Sequence, residues 1–145
     1  MIIILLNAVV FFTVHAAHAD TEQILKKLKE TKECRGCDLS QLELSGENLF
    51  AVDLTGANLS GTDLSGADLN FTTFRNANMS RANLSNADLG RADLSGANLR
   101  GANLRHANLK DANVYGTDFT DADLSDAVWT DGYKCVEGST SDCVE

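Results

Sequence analysis

Residues 92–110 read ADLSGANLRGANLRHANLK, with leucine at Leu94, Leu99, Leu104 and Leu109. A five-residue spacing belongs neither to a helix, with 3.6 residues per turn, nor to a strand, with a period of two. Carried outward in the same register, it places a large apolar residue at every fifth position from Leu39 to Trp129, nineteen units without a slip. Leu44, Leu49, Leu54, Leu59, Leu64, Leu69, Phe74, Met79, Leu84, Leu89, Val114, Phe119 and Leu124 complete the series. A repeat this regular governs the fold ahead of any local propensity.

Two residues before most of the large residues stands a small one, usually alanine, as in Ala57, Ala67, Ala77, Ala87, Ala97 and Ala107. Between them stands Asp or Asn in nearly every unit. Residues two apart share one side of an extended segment, so the leucine and the alanine point inward and the Asp or Asn points out. The remaining two residues, often ending in glycine, make a corner, where glycine accepts positive φ at no steric cost. Extended edge plus corner, repeated, closes into a tube. One unit cannot bury its leucine alone, so stability comes from stacking.

The units ANLSG, ADLSG, ANLRG and ADLGR resemble the A(D/N)LXX motif of pentapeptide-repeat proteins, over about two-thirds of the chain. The resemblance implies an all-β solenoid, a right-handed quadrilateral β-helix with four units per coil, here with a short N-terminal capping helix. Residues twenty apart then stack, and Leu44, Leu64, Leu84, Leu104 and Leu124 form one interior ladder. Nineteen units at strand spacing make a tube about 23 Å long.

The tube has ends that need covering. Residues 20–33, DTEQILKKLKETKE, read as an amphipathic helix capped by Asp20 with Gln23 three residues on. Its strip of Ile24, Leu25 and Leu28 faces Leu42 and Val52, which break the alanine rule in the first coil. At the other end, Trp129 and the tail TDGYKCVEGSTSDCVE read as a second cap. The expected division is residues 1–19 as a signal peptide, 20–36 as capping helix and CXXC, 37–131 as solenoid and 132–145 as a disulfide-closed cap.

The signal-peptide reading rests on the apolar run MIIILLNAVVFFTV and the small residues at Ala17–Ala19. The absence of Lys or Arg ahead of the run departs from the usual pattern, and an uncleaved anchor is the other reading. Export to a bacterial periplasm is expected, with a thylakoid lumen or the extracellular space as alternatives. Four cysteines suit an oxidising compartment. Across the tube that the resemblance implies, only Cys34–Cys37 and Cys135–Cys143 lie within disulfide reach. CRGC also has the spacing of a redox motif, which makes a thiol–disulfide redox protein the alternative function.

The formal charge of −9 opposes nonspecific binding to nucleic acid or anionic membranes. Some members of the resembled family act on DNA gyrase by mimicking DNA. That needs a continuous acidic face, and the outward columns alternate, as in Asp38, Asn58, Asn78, Asn98, Asp118. Around the lower middle runs a basic belt, Arg75, Arg81, Arg91, Arg100, Arg105 and Lys110; Arg81, Arg91, Arg100, Arg105 and Lys110 are the candidate docking residues. His106 falls on a corner, and sequons at Asn58, Asn78 and Asn83 follow from the repeat itself. No nucleophile–base arrangement, phosphate loop or metal cluster is visible. The expectation is a non-enzymatic structural or protein-interaction scaffold without cofactor or metal, binding a protein partner if any, not nucleic acid or membrane, as a monomer or end-to-end dimer.

Overall fold

The computed structural model describes residues 21–143. The leader, Asp20 and its proposed cap therefore lie outside the described residues. Helix α1 spans residues 21–31. It ends where Lys32 turns left-handed at φ 55° and its N–H donates to the Leu28 carbonyl at 3.0 Å.

From there the chain winds in coils of twenty residues. Parallel bridges join residues twenty apart, from Glu33 with Asp53 down to Asn108 with Val128. Each coil carries four β-turns, so the tube is four-sided. In every turn but the one at Leu39, the ladder residue's carbonyl accepts the N–H three residues on, as Leu54 does from Ala57 at 3.0 Å. The third turn residue has positive φ in every turn from Gly36 to Asp126, the signature of a type II turn. Eleven of these residues are not glycine, and none is β-branched. Branching at Cβ is the feature that the left-handed region tolerates least.

Leu44, Leu64, Leu84, Leu104 and Leu124 are all fully buried in one column. Complete burial of each contributes about 1.5–3 kcal/mol. Thr62 and Thr72 replace the inward alanine without leaving a hydroxyl unpaired. Their Oγ1 atoms donate to the carbonyls of Leu39 at 2.7 Å and Leu49 at 2.8 Å. Thr117 does the same to Leu94 at 2.8 Å.

The ladder starts earlier than the leucine count. Cys34 occupies the position five residues before Leu39, only 6% exposed, and its N–H donates to the Asp53 carbonyl. A disulfide-bonded cysteine is small and apolar enough to fill a leucine site at the end of the tube. Above it Leu28 of α1 is fully buried, with Ile24, Leu25 and Leu42 packed on the same cluster. Lys29 reaches Glu47 at 2.6 Å. At the other end, residues 132–143 fold back on the last coil. Val128 pairs antiparallel with Lys134 and Asp123 with Thr140.

Candidate interaction surface

The wall is built on Asp and Asn. At sixteen positions the side-chain Oδ1 accepts the backbone N–H two residues on, at the start of the corner. This Asx geometry fixes the turn. Asparagine adds a second bond that aspartate cannot make: its Nδ2 donates to the residue one coil earlier. Asn58 donates to Asp38 at 3.1 Å, Asn78 to Asn58 and Asn98 to Asn78 at 3.3 Å. The sequon asparagines Asn58, Asn78 and Asn83 all spend their amide nitrogens this way.

At Asp53, Asp93, Asp118 and Asp123 an arginine from eighteen residues earlier compensates. Arg35 meets Asp53 at 2.7 Å, Arg75 meets Asp93 at 2.6 Å, Arg100 meets Asp118 at 3.2 Å and Arg105 meets Asp123 at 3.3 Å. The hydroxyls of Thr120 and Ser125, then Arg100 and Arg105, hold Asp118 and Asp123 below the ordinary carboxylate range. In Asp93, burial works against ionisation, but Ser95 and Arg75 outweigh it and the net shift is downward.

The structure does not gather the candidate docking residues on one face. Numbering the edges from the turn at Arg35–Gly36, Arg75 lies on edge one, Arg81 and Arg100 on edge two, Arg105 on edge three, and Arg91 and Lys110 on edge four. Arg100 and Arg105 are already paired, and Arg91 lies 3.7 Å from Asp111. Among the described residues, Arg81 and Lys110 have no carboxylate within 4.0 Å.

Edge four also carries a feature that the repeat hid. Phe50 and Phe71 are 43% and 47% exposed, with ring centroids 5.5 Å apart at 61°. The Arg91 guanidinium lies 5.4 Å from the centre of the Phe71 ring. Below them is an open recess of about 180 Å³ lined by Asn70, Gly90, Arg91, Asn108, Lys110 and Asp111. The signal was present in the sequence as two phenylalanines at corner positions of successive coils, where small or polar residues are the rule.

The cysteines pair as Cys34–Cys37 and Cys135–Cys143, with Cα separations of 5.4 and 5.0 Å. Cys34 follows the C-terminal end of α1 and is buried, whereas a redox thiol sits at a helix start and is accessible. His106 Nδ1 stands 4.0 Å from Asp126 on edge three. Among the described residues no three His, Cys, Asp or Glu converge to hold a metal, and no helix is long and apolar enough to cross a membrane.

The family model for pentapeptide repeats matches in eight copies, over residues 33–70, 53–91 and 87–126. This chain is a pentapeptide-repeat protein. Such proteins are right-handed quadrilateral β-helices, generally with structural or interaction roles rather than catalytic ones. A pentapeptide-repeat protein from the cyanobacterium Cyanothece 51142 is 30% identical, with 75% of this chain and 99% of that one covered at a TM-score of 0.46. One from the Arabidopsis thaliana thylakoid lumen is 33% identical, covering 70% and 68% at 0.40. QnrB1, a plasmid-mediated fluoroquinolone resistance protein, is 17% identical, covering 65% and 58% at 0.54, and shares the fold. No curated protein matches the chain.

Proposed function

We propose that this pentapeptide-repeat protein is an exported, non-enzymatic scaffold that presents its side walls to a protein partner. The observation that carries the reading is the closure of both tube ends, one under α1 and one under residues 132–143, with a disulfide at each. With the ends covered and the interior filled by leucine and alanine, the walls are what remains for contact. The four-part division from signal peptide to closed tail is part of this proposal, as is the periplasmic setting, with a thylakoid lumen or the extracellular space as alternatives. Of the belt, Arg81 and Lys110 are the cations whose charge is free for docking.

The test is crosslinking of the tagged protein in its own compartment. One enriched protein, lost when Arg81 and Lys110 are changed to Gln, is the expected result. Recovery of the mature chain from the cytoplasm would overturn the exported part, and no protein above background would overturn the docking part. The redox alternative needs an accessible attacking thiol, and the burial of Cys34 weighs against it. Rapid labelling of Cys34 and Cys37 after mild reduction of the native protein would restore it.

A further inference from the structure

Phe71 has no role in the core. It occupies a left-handed turn position at φ 58°, where a bulky side chain is uncommon, and half of it faces solvent. Ten other non-glycine residues share that turn conformation, so what sets Phe71 apart is an exposed apolar ring where polar or small side chains are the rule.

Along its edge stand Phe50 at a first corner position and Phe71, Arg91 and Asp111 at second corner positions, with Lys32 above them at the end of α1, where its Nζ donates to the Phe50 carbonyl at 3.1 Å. Reversed about Phe71, that order is complementary to itself. Lys32 falls opposite Asp111, Phe50 opposite Arg91, and Phe71 opposite itself. The pattern also matches in shape. Phe50 projects at the first corner position of its turn, and Gly90 occupies that same position two coils lower, at the floor of the recess beneath Arg91. A twofold contact requires a surface that complements itself in this way.

We propose that two copies associate antiparallel along this edge, on a twofold axis at Phe71. The two Phe71 rings meet on the axis. Each Phe50 enters the recess above Gly90 of the second copy, against its Arg91. Lys32 faces Asp111 of the second copy at either end, and Lys110 approaches Glu30 at the C-terminal end of its α1. The backbone of this edge is already hydrogen-bonded within each tube, so side chains alone make the contact. Five rows at about 4.8 Å spacing give a strip about 19 Å long. A strip of that size falls below the roughly 800 Å² per partner of a stable interface, so the dimer is reversible and forms with rising concentration. Each chain's charge of −9 opposes approach at long range, but physiological salt screens beyond about 8 Å.

This goes beyond the scaffold reading, and either can fail without the other. The test is sedimentation velocity of the chain as purified from its cells, over a concentration series at physiological salt, alongside thermal melting. A monomer–dimer equilibrium is expected. Phe71→Gly should weaken it about tenfold or more, a loss of at least about 1.4 kcal/mol. The same substitution should raise the melting temperature, because glycine relieves the left-handed turn. Lys32→Asp and Asp111→Lys should each weaken association, and the double variant should regain it. A monomer at every concentration, a dimer indifferent to Phe71→Gly, or a double variant that stays weak would each overturn the proposal.

Discussion

At the N-terminal end of the tube, α1 covers the first coil with side chains; at the C-terminal end, residues 132–143 cover the last coil with backbone. Leu28 is fully buried over the first coil, yet the N–H groups of Asp38, Glu43 and Asn48, which would reach up to a preceding coil, meet no backbone carbonyl among the described residues. The last coil has the opposite arrangement. Its N–H groups at Leu124, Asp126 and Trp129 donate to the carbonyls of Ser139, Cys135 and Tyr133, at 2.8, 3.2 and 2.7 Å. In return Cys135 and Ser141 donate to the carbonyls of Ala127 and Ala122. The first end is held by apolar area and the second by substituting the tail for a missing coil. A solenoid can therefore be stopped in either way, but the two stops should fail differently.

The largest difference is expected from Leu28→Asp. Truncating a buried leucine to alanine costs about 2–5 kcal/mol, and a carboxylate at the same site costs more because it is desolvated without a partner. Coils interact only with their neighbours. Hydrogen exchange should therefore accelerate first at Cys34, Leu39 and Leu44 while the rungs near Leu104 stay protected. Uniform acceleration along the whole tube would show that α1 supports the fold globally rather than closing one end.

Cys135→Ser with Cys143→Ser tests the other end. Opening a loop of this length costs about 2.5 kcal/mol in chain entropy. Cys135 is also 1% exposed, so its hydroxyl replacement must lie in the apolar cluster. Loss of protection should be confined to Leu124, Asp126 and Trp129, and the melting temperature should fall less than in Leu28→Asp. A larger fall than that would mean that backbone closure, not apolar area, dominates the stability of the ends.

Most of the tube was legible because each of its units is specified locally. The five-residue register gave the interior column through Leu84, and twenty-residue stacking placed Asn58 over Asn78. What escaped was the local bonding of the polar residues at each corner and the edge on which each surface residue falls. The Asp and Asn between the inward residues read as outward and polar, while their chief role is to accept a backbone N–H at the corner. The basic belt was legible as a band around the tube, but not the edge that each cation takes: Arg100, Arg105 and Lys110 fall on three different edges. Phe50 and Phe71 lie off the leucine register and at different corner positions, twenty-one residues apart, so neither column shows them as neighbours. Cys34 escapes a register of large residues, because a disulfide-bonded cysteine fills a leucine site without being large.

Ser125→Ala is the smallest of these changes and the one that separates charge from packing at the tail. The Ser125 hydroxyl donates to Asp123 Oδ1 at 2.6 Å and accepts the Gly138 N–H at 2.9 Å, so it ties the acidic column to the tail from a buried site. Removing it leaves both groups short of a partner and should cost about 1–2 kcal/mol at neutral pH. Asp123 is held below its ordinary range first by that hydroxyl and, with burial opposing, also by the Ser125 N–H and Arg105. A lowered folded-state pKa contributes stability above the unfolded value, near 3.9, and loses it as pH falls through the folded value. In Ser125→Ala the folded pKa rises toward the unfolded one, so the part of the cost that comes from ionisation is present at pH 7 and vanishes below both values. The part that comes from the orphaned Gly138 amide persists at every pH. Denaturation of wild type and variant at pH 7 and below pH 3 should therefore show a gap that narrows without closing. A gap of constant width would assign the whole effect to the tail's hydrogen bond and leave Asp123 without a part in holding the C-terminal end.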